Sequence, residues 1–243
     1  NGVPGPSGGN DLGKERGRAL NGSEVDGGAG GHPFQVMAKP AGAICNLDCT
    51  YCYYTEKRAL YPQERRFRMD DATLEGFIRD YIALQVAWGA PEIQFSWQGG
   101  EPTLMGLDFF RRVVALQERH APEGARVRNA LQTNGILLDG EWADFFRQHN
   151  FLIGISIDGP ARLHDTYRVR AGGRPTFSDV LRGLGVLRDH GVDFNTLTVV
   201  SRANLRHGRD VYRFLKNQGV RFMQFIPLVE RLGNDNNLIQ LPI

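Results

Sequence analysis

Six short apolar runs, separated by stretches whose apolar residues recur at helical spacing, constrain this chain more than any other feature. The runs fall at 34–39, 92–98, 127–132, 151–158, 193–200 and 221–228. After the first, Leu74, Phe77, Ile78, Tyr81 and Ile82 follow the i, i+3, i+4, i+7, i+8 pattern of an amphipathic helix, behind an Asp70-Asp71 pair suited to an N-cap. Phe110, Val113 and Val114 mark a second helix; Trp142, Phe145 and Phe146 mark a third. Phe177, Val180, Leu181 and Leu184 mark a fourth, stopped by Gly191, and Val211, Phe214 and Leu215 a fifth, stopped by Gly219. Strands alternating with helices imply an α/β fold with a parallel sheet and right-handed crossovers. The run 151–157 is apolar apart from Gly154 and Ser156, as expected of a strand covered on both faces.

Such an alternation suits either an open doubly wound sheet or a partial barrel. Polar residues on or at the ends of the runs favour the barrel: Ser96, Gln98, Gln132, Asn134, Ser156, Asp158, Asn195 and Gln224. Pointing inward, they would line a lumen whose active end is the carboxyl rim of the strands. The expected fold is a partial TIM-type (β/α)6 barrel with outer helices, lacking the last helix because the sequence stops soon after the sixth run.

At 243 residues the chain has room for one large domain or two small ones. Residues 1–31 hold 11 of its 30 glycines, with Pro4 and Pro6 and hardly any large apolar side chain. Such a segment buries too little to offset its ordering entropy, so it reads as a disordered tail before a folded domain at 32–243. With 29 Lys+Arg against 27 Asp+Glu the net charge is +2, no footprint for nucleic acid or an anionic membrane. No apolar run approaches the ~20 residues of a membrane span, and no signal-peptide core is visible. A soluble cytoplasmic protein is expected. Because the sequence lacks an initial Met and ends abruptly at Leu241-Pro242-Ile243, it also reads as a fragment.

All three cysteines lie in one short segment, Cys45-Asn-Leu-Asp-Cys49-Thr-Tyr-Cys52. An odd number cannot pair off, so a reducing compartment is implied. Three thiolates on one loop after the first strand suit a soft metal. Three unrelated buried thiols are the bland alternative. A zinc knot completed by histidine is another, although none of the six histidines is a near neighbour on this loop. The third reading is an iron–sulfur cluster, which normally takes four cysteines. Held by three, a four-iron cubane keeps one iron open for a non-protein ligand.

Behind the second strand comes Gln98-Gly99-Gly100-Glu101-Pro102-Thr103-Leu104. Two glycines at a strand end let a backbone approach a ligand closely, although the same residues also suit a surface turn with a solvated glutamate.

The C-x3-C-x2-C spacing, with Tyr51 before the last cysteine, resembles the signature of the radical SAM superfamily, and Gly99-Gly100-Glu101-Pro102 resembles that superfamily's second motif. Further segments resemble the anaerobic sulfatase-maturating enzymes: Met37-Ala-Lys-Pro40, Tyr53-Tyr-Thr-Glu-Lys57, Gln132-Thr-Asn-Gly135, Gly154-Ile-Ser-Ile-Asp-Gly-Pro160, and Gln224-Phe-Ile-Pro-Leu-Val-Glu230. The resemblance covers roughly residues 34–232. It implies a radical SAM core that uses a 4Fe-4S cluster and S-adenosylmethionine to make a 5′-deoxyadenosyl radical. The target would be a Cys or Ser of a sulfatase polypeptide, oxidised to Cα-formylglycine, with electrons from a low-potential donor of flavodoxin or ferredoxin type.

Residue by residue, the resemblance assigns Cys45, Cys49 and Cys52 to the cluster. It assigns Tyr51, Gly100, Glu101, Ser156, Arg168 and Leu228 to S-adenosylmethionine, and Tyr54 and Gln98 to the substrate side chain. It places the general base and two auxiliary clusters beyond residue 243. Each assignment has a structural counterpart: Arg168 as an exposed cation, Ser156 as a backbone hydrogen-bonder, Leu228 as core. His164-Asp165 reads as a turn or N-cap, since adjacent residues rarely face each other. Two other functions compete: a related radical enzyme acting on another peptide, for instance forming thioethers, and a non-catalytic metal-binding module.

Overall fold

The computed structural model describes residues 33–58, 67–231 and 239–240. The tail expected at 1–31 lies outside the described residues. Strand β1 (Val36–Ala38) is followed by the short helix α1 (Tyr53–Arg58) and the long helix α2 (Asp71–Ala87). Next come β2 (Ile93–Trp97), a 3₁₀ turn (Pro102–Met105), α3 (Leu107–His120), β3 (Val127–Thr133) and α4 (Gly140–Gln148). Then follow β4 (Leu152–Ser156), α5 (Ala161–His164), α6 (Phe177–Asp189) and β5 (Phe194–Val200). A second 3₁₀ turn (Leu205–His207), α7 (Gly208–Asn217) and β6 (Met223–Pro227) precede a small antiparallel ribbon of β7 (Glu230–Arg231) and β8 (Ile239–Gln240). Strands β1 to β6 pair in chain order and all neighbours are parallel. The sheet curls into a half-barrel with helices outside, the partial TIM-type arrangement expected from the alternation.

Local signals account for the elements. Asp70 caps α2, accepting from Thr73 N at 2.8 Å, and Leu74, Ile78, Tyr81 and Ile82 are buried on one face. Helices α6 and α7 stop where Gly191 and Gly219 take φ of 67° and 82°. Along β2, Ile93, Phe95 and Trp97 are buried under the helices, while Gln94 and Ser96 alternate onto the inner face. Trp97 meets Phe110 edge-on at 5.9 Å, and Phe110 in turn meets Trp142 at 5.7 Å and Phe151 at 6.4 Å. Polar groups in this layer are satisfied. Trp97 Nε1 donates to Asn129 Oδ1 at 2.8 Å, and Asn129 and Gln117 exchange amide hydrogen bonds of 2.8 and 3.0 Å.

The inner face is less covered than the apolar run 151–157 implied. Ile153, Ile155 and Ile157 are fully buried against helices, but Leu152 is 45% exposed. A half-barrel has no opposing strands to cover the amino end of its lumen, so only the helix-facing side of β4 is sealed there. The inner polar residues follow the same gradient: Asn134 and Ser156 are buried near the carboxyl rim, whereas Gln224 on β6 is exposed. Among the described residues no helix follows β6, and Phe225 and Ile226 are correspondingly exposed.

Candidate active site

The cysteine loop leaves β1 and docks on the end of β2 through backbone bonds. Gly100 N donates to Gly42 O, and Glu101 N donates to Ile44 O, both at 2.8 Å. An added Cβ at Gly100 would lie 2.0 Å from Ile44 O, a separation no side chain tolerates. The close approach that the glycine pair permits is therefore made to the protein's own cysteine loop. Gly100's N–H is committed, which leaves its carbonyl as the group it can offer a ligand. A second edge of the loop is held by the segment that follows α5, where Asp48 N donates to Val169 O and Thr50 N to Tyr167 O.

Glu101 is not the solvated turn residue that its loop position allowed; it is 1% exposed. Its Oε1 accepts from Thr103 N, Thr103 Oγ1 and Thr133 Oγ1, and its Oε2 accepts from Asn134 N at 2.8 Å. Burial pushes its carboxyl above the usual carboxylate range, against these four bonds, which favour the ionised form. Oε2 keeps an unused lone pair for a further donor.

Arg168 is likewise no exposed cation. Its Nε donates to Asp158 Oδ2 at 2.9 Å and its Nη2 to Asp158 Oδ1 at 3.3 Å, with the pair almost wholly buried. Tyr51 OH donates to the same Oδ2 at 2.5 Å, and the guanidinium carbon lies 5.6 Å from the Tyr51 ring centroid. Burial disfavours the Arg168 charge, yet Asp158 outweighs it and holds the group protonated above the usual arginine range. Burial also pushes the Tyr51 phenol well above its ordinary range, with Arg168 pulling the other way. Beneath this pair, His164 is fully buried; its Nδ1 accepts from Asp158 N at 3.3 Å, so the ring proton sits on Nε2, facing Thr176 Oγ1 at 3.1 Å. Asp165 is no N-cap but stands at the C-cap of α5, and its Oδ1 reaches across to accept from Thr176 N and from Phe177 N, the first residue of α6.

Every cluster, cofactor and substrate residue anticipated from sequence lines one cavity of about 250 Å³ at the carboxyl ends of the strands. These are Cys45, Cys49, Cys52, Tyr51, Gly100, Glu101, Ser156, Arg168, Leu228, Tyr54 and Gln98. Gln98 donates its amide to Gln132 Oε1, and Tyr54 lies 5.2 Å from Lys39 Nζ across its ring. Leu228 is half-buried at the rim rather than core, tied by its N–H to Val200 O at 2.9 Å. A larger cavity of about 920 Å³ opens at the opposite, amino ends of the strands. It carries no thiol, and barrel chemistry belongs at the carboxyl face.

The donor set fits an iron–sulfur cluster better than zinc. None of the described histidines lines the cavity, so the three thiols have no histidine beside them to complete a tetrahedral zinc site. Burial pushes the Cys45 thiol up to about 12 and the Cys49 thiol up to about 11, the latter opposed by Arg168. A bound group must therefore displace protons, and Arg168 offsets part of the charge created. Asn46 Nδ2, beside Cys45, is buried without a hydrogen-bond partner, as a donor awaiting a sulfur acceptor would be.

Sequence reasoning placed Asp158 and Asn134 among the lumen-lining polar residues but gave neither a part in holding the site residues. Each lies just past a strand end, two residues after another inward polar group, Ser156 and Gln132, and that alternation is the signal they carried.

This site and fold define a family. The model of the radical SAM superfamily matches residues 40–215, and the chain belongs to that superfamily. It is 44% identical over 200 residues to a serine-type anaerobic sulfatase-maturating enzyme of Bacteroides thetaiotaomicron, covering 82% of this chain and 47% of that protein. It is 38% identical over 208 residues to a cysteine-type anaerobic sulfatase-maturating enzyme of Clostridium perfringens, covering 84% of this chain and 55% of that protein. The solved structure of native anSMEcpe with bound AdoMet and Cp18Cys peptide is similar with a TM-score of 0.73 at 36% identity, covering 82% of this chain and 53% of that one. The chain thus spans about half the length of the curated relatives it matches. Among the described residues no helix is long and apolar enough to cross a membrane.

Proposed function

We propose that this chain is the cluster- and S-adenosylmethionine-binding core of a sulfatase-maturating enzyme, acting on a Cys or Ser of a sulfatase polypeptide to give Cα-formylglycine. The observation that carries this reading is the convergence of three thiols, the Gly-Gly-Glu-Pro loop and Arg168 on one cavity at the carboxyl ends of parallel strands. The names of the relatives, of both serine and cysteine type, support the reaction class.

Cys45, Cys49 and Cys52 hold a 4Fe-4S cluster. When bound, the cluster and S-adenosylmethionine supply a 5′-deoxyadenosyl radical for hydrogen-atom abstraction, with the electron delivered by a flavodoxin- or ferredoxin-type donor. The chain's own groups bind and orient. Asp158 takes up Nε and Nη2 of Arg168, leaving Nη1 for the cofactor carboxylate, with Ser156 beside it. Glu101 Oε2 and the Gly100 carbonyl receive the ammonium. Tyr51 and Leu228 border the adenosine, and Tyr54 and Gln98 face the substrate side chain. The curled sheet shields a reactive species from solvent on the helix side.

The test is anaerobic reconstitution of this chain with iron and sulfide, followed by dithionite, S-adenosylmethionine and a sulfatase-derived peptide. The expected result is about four irons per chain and 5′-deoxyadenosine detected by mass spectrometry. Zinc near unity, or no deoxyadenosine from an iron-loaded chain, overturns the proposal.

A further inference from the structure

One side chain joins the end of β3 to the cysteine loop. Asn134 is 7% exposed; its backbone N–H donates to Glu101 Oε2 at 2.8 Å, and its Oδ1 accepts from Ile136 N at 3.0 Å. The second bond fixes which end of the amide is oxygen. Nδ2 therefore faces the loop, 2.7 Å from Asn46 Oδ1 and 3.8 Å from Cys45 Sγ. A primary amide carries two N–H bonds. One serves Asn46, and the other is directed at the sulfur.

We propose that Asn134 is a positioning residue of the cluster site, whose amide donates an N–H···S hydrogen bond to Cys45 and makes the bound cluster easier to reduce. This rests on the reading that Cys45, Cys49 and Cys52 hold an iron–sulfur cluster. A donor at a ligand sulfur draws negative charge away from the cluster, and the reduced state carries more of that charge. Glu101 acts through the same residue. By holding the Asn134 backbone, it couples the Gly-Gly-Glu-Pro loop to the orientation of the amide. Leu47 N, 3.4 Å from the same Sγ, adds a backbone donor that no side-chain change short of proline removes. The amide is thus the adjustable part of the sulfur's environment.

Two variants separate this role from a purely structural one. Asn134→Asp keeps an acceptor for Ile136 N but loses the donor; Asn134→Ser loses the donor without adding charge. Both are reconstituted anaerobically beside the unsubstituted chain, assayed for iron and sulfide, and titrated against redox mediators by visible absorption and electron paramagnetic resonance. Both should hold as much iron as the unsubstituted chain. At a fixed poise within the transition, the reduced-to-oxidised ratio should fall several-fold for Ser and about tenfold for Asp, or ~59 mV for a one-electron couple. Unchanged ratios in iron-loaded variants overturn the proposal. Loss of iron from both variants also overturns it, since Asn134 would then serve the fold alone. An unsubstituted chain that binds no iron overturns the cluster reading itself.

Discussion

Asp158 Oδ2 receives both Arg168 Nε, at 2.9 Å, and Tyr51 OH, at 2.5 Å, so one carboxylate oxygen orients two of the residues assigned to the cofactor. A buried ion pair costs more to break than it contributes whole, because removing one partner strands the other charge. Arg168→Met should therefore destabilise the chain by about 3–5 kcal/mol in denaturant unfolding. Adding Asp158→Asn to that variant should recover much of the stability. It should not recover S-adenosylmethionine affinity, which titration of the reconstituted proteins measures. Recovery of both would make the pair structural only.

Each cysteine should be individually indispensable. Cys45→Ala, Cys49→Ala and Cys52→Ala should each lose the cluster, because the chain has only three cysteines and none to substitute. Iron and sulfide content after anaerobic reconstitution is the readout. Full iron with an unchanged spectrum in any one of them removes that residue from the ligand set.

Gly100→Ala should separate the two loops. Its Cβ would meet Ile44 O at 2.0 Å, and the atoms it meets are backbone, so they cannot rotate away. Overpacking of this kind typically costs about 1–3 kcal/mol. Thermal unfolding should shift down, and reconstituted iron should fall although no ligand has changed. Gly208→Ala is a fair comparison, since open space surrounds that position and its φ of -53° suits any residue.

His164 makes the chain acid-sensitive. Burial, reinforced by Arg168, lowers its pKa from 6.5 to about 4, while Asp158 and Asp165 oppose the shift. The unfolded chain then binds the extra proton first as pH falls. The stabilisation from keeping His164 neutral is complete above about 6.5 and is lost as pH falls towards about 4. A shift of that size is worth roughly 3 kcal/mol. Urea unfolding at pH 7 and pH 4.5 should show the loss, and His164→Gln should reduce it. A profile unaltered by that substitution assigns the acid sensitivity elsewhere.

Much of this arrangement is legible before folding because its signals are local. The α2 pattern from Leu74 to Ile82 fixes a buried face, and the cysteine spacing fixes a loop. What is not legible depends on long-range closure. Nothing near Arg168 in sequence says that Asp158 will neutralise it, since a solvated arginine has the same local composition. Glu101 likewise needs Thr133 and Asn134, more than thirty residues away, before its burial makes sense. Leu152 misled for a related reason: its run is apolar, but covering it requires strands on the far side of the lumen.

The polar trio behind the sheet, one indole and two amides, bears on how the cavity rim is assembled. Trp97, Asn129 and Gln117 satisfy one another only when β2 and β3 pair with Phe95 opposite Asn129. A one-residue slip would leave these groups facing hydrocarbon, at about 1–3 kcal/mol for each orphaned donor or acceptor. The same slip would turn Gln98 or Gln132, whichever strand moved, out of the lumen, because side chains alternate faces along a strand. The trio thus works as an alignment key: it penalises misregistered sheets during folding, and so sets which side chains reach the rim from outside the cysteine-lined cavity.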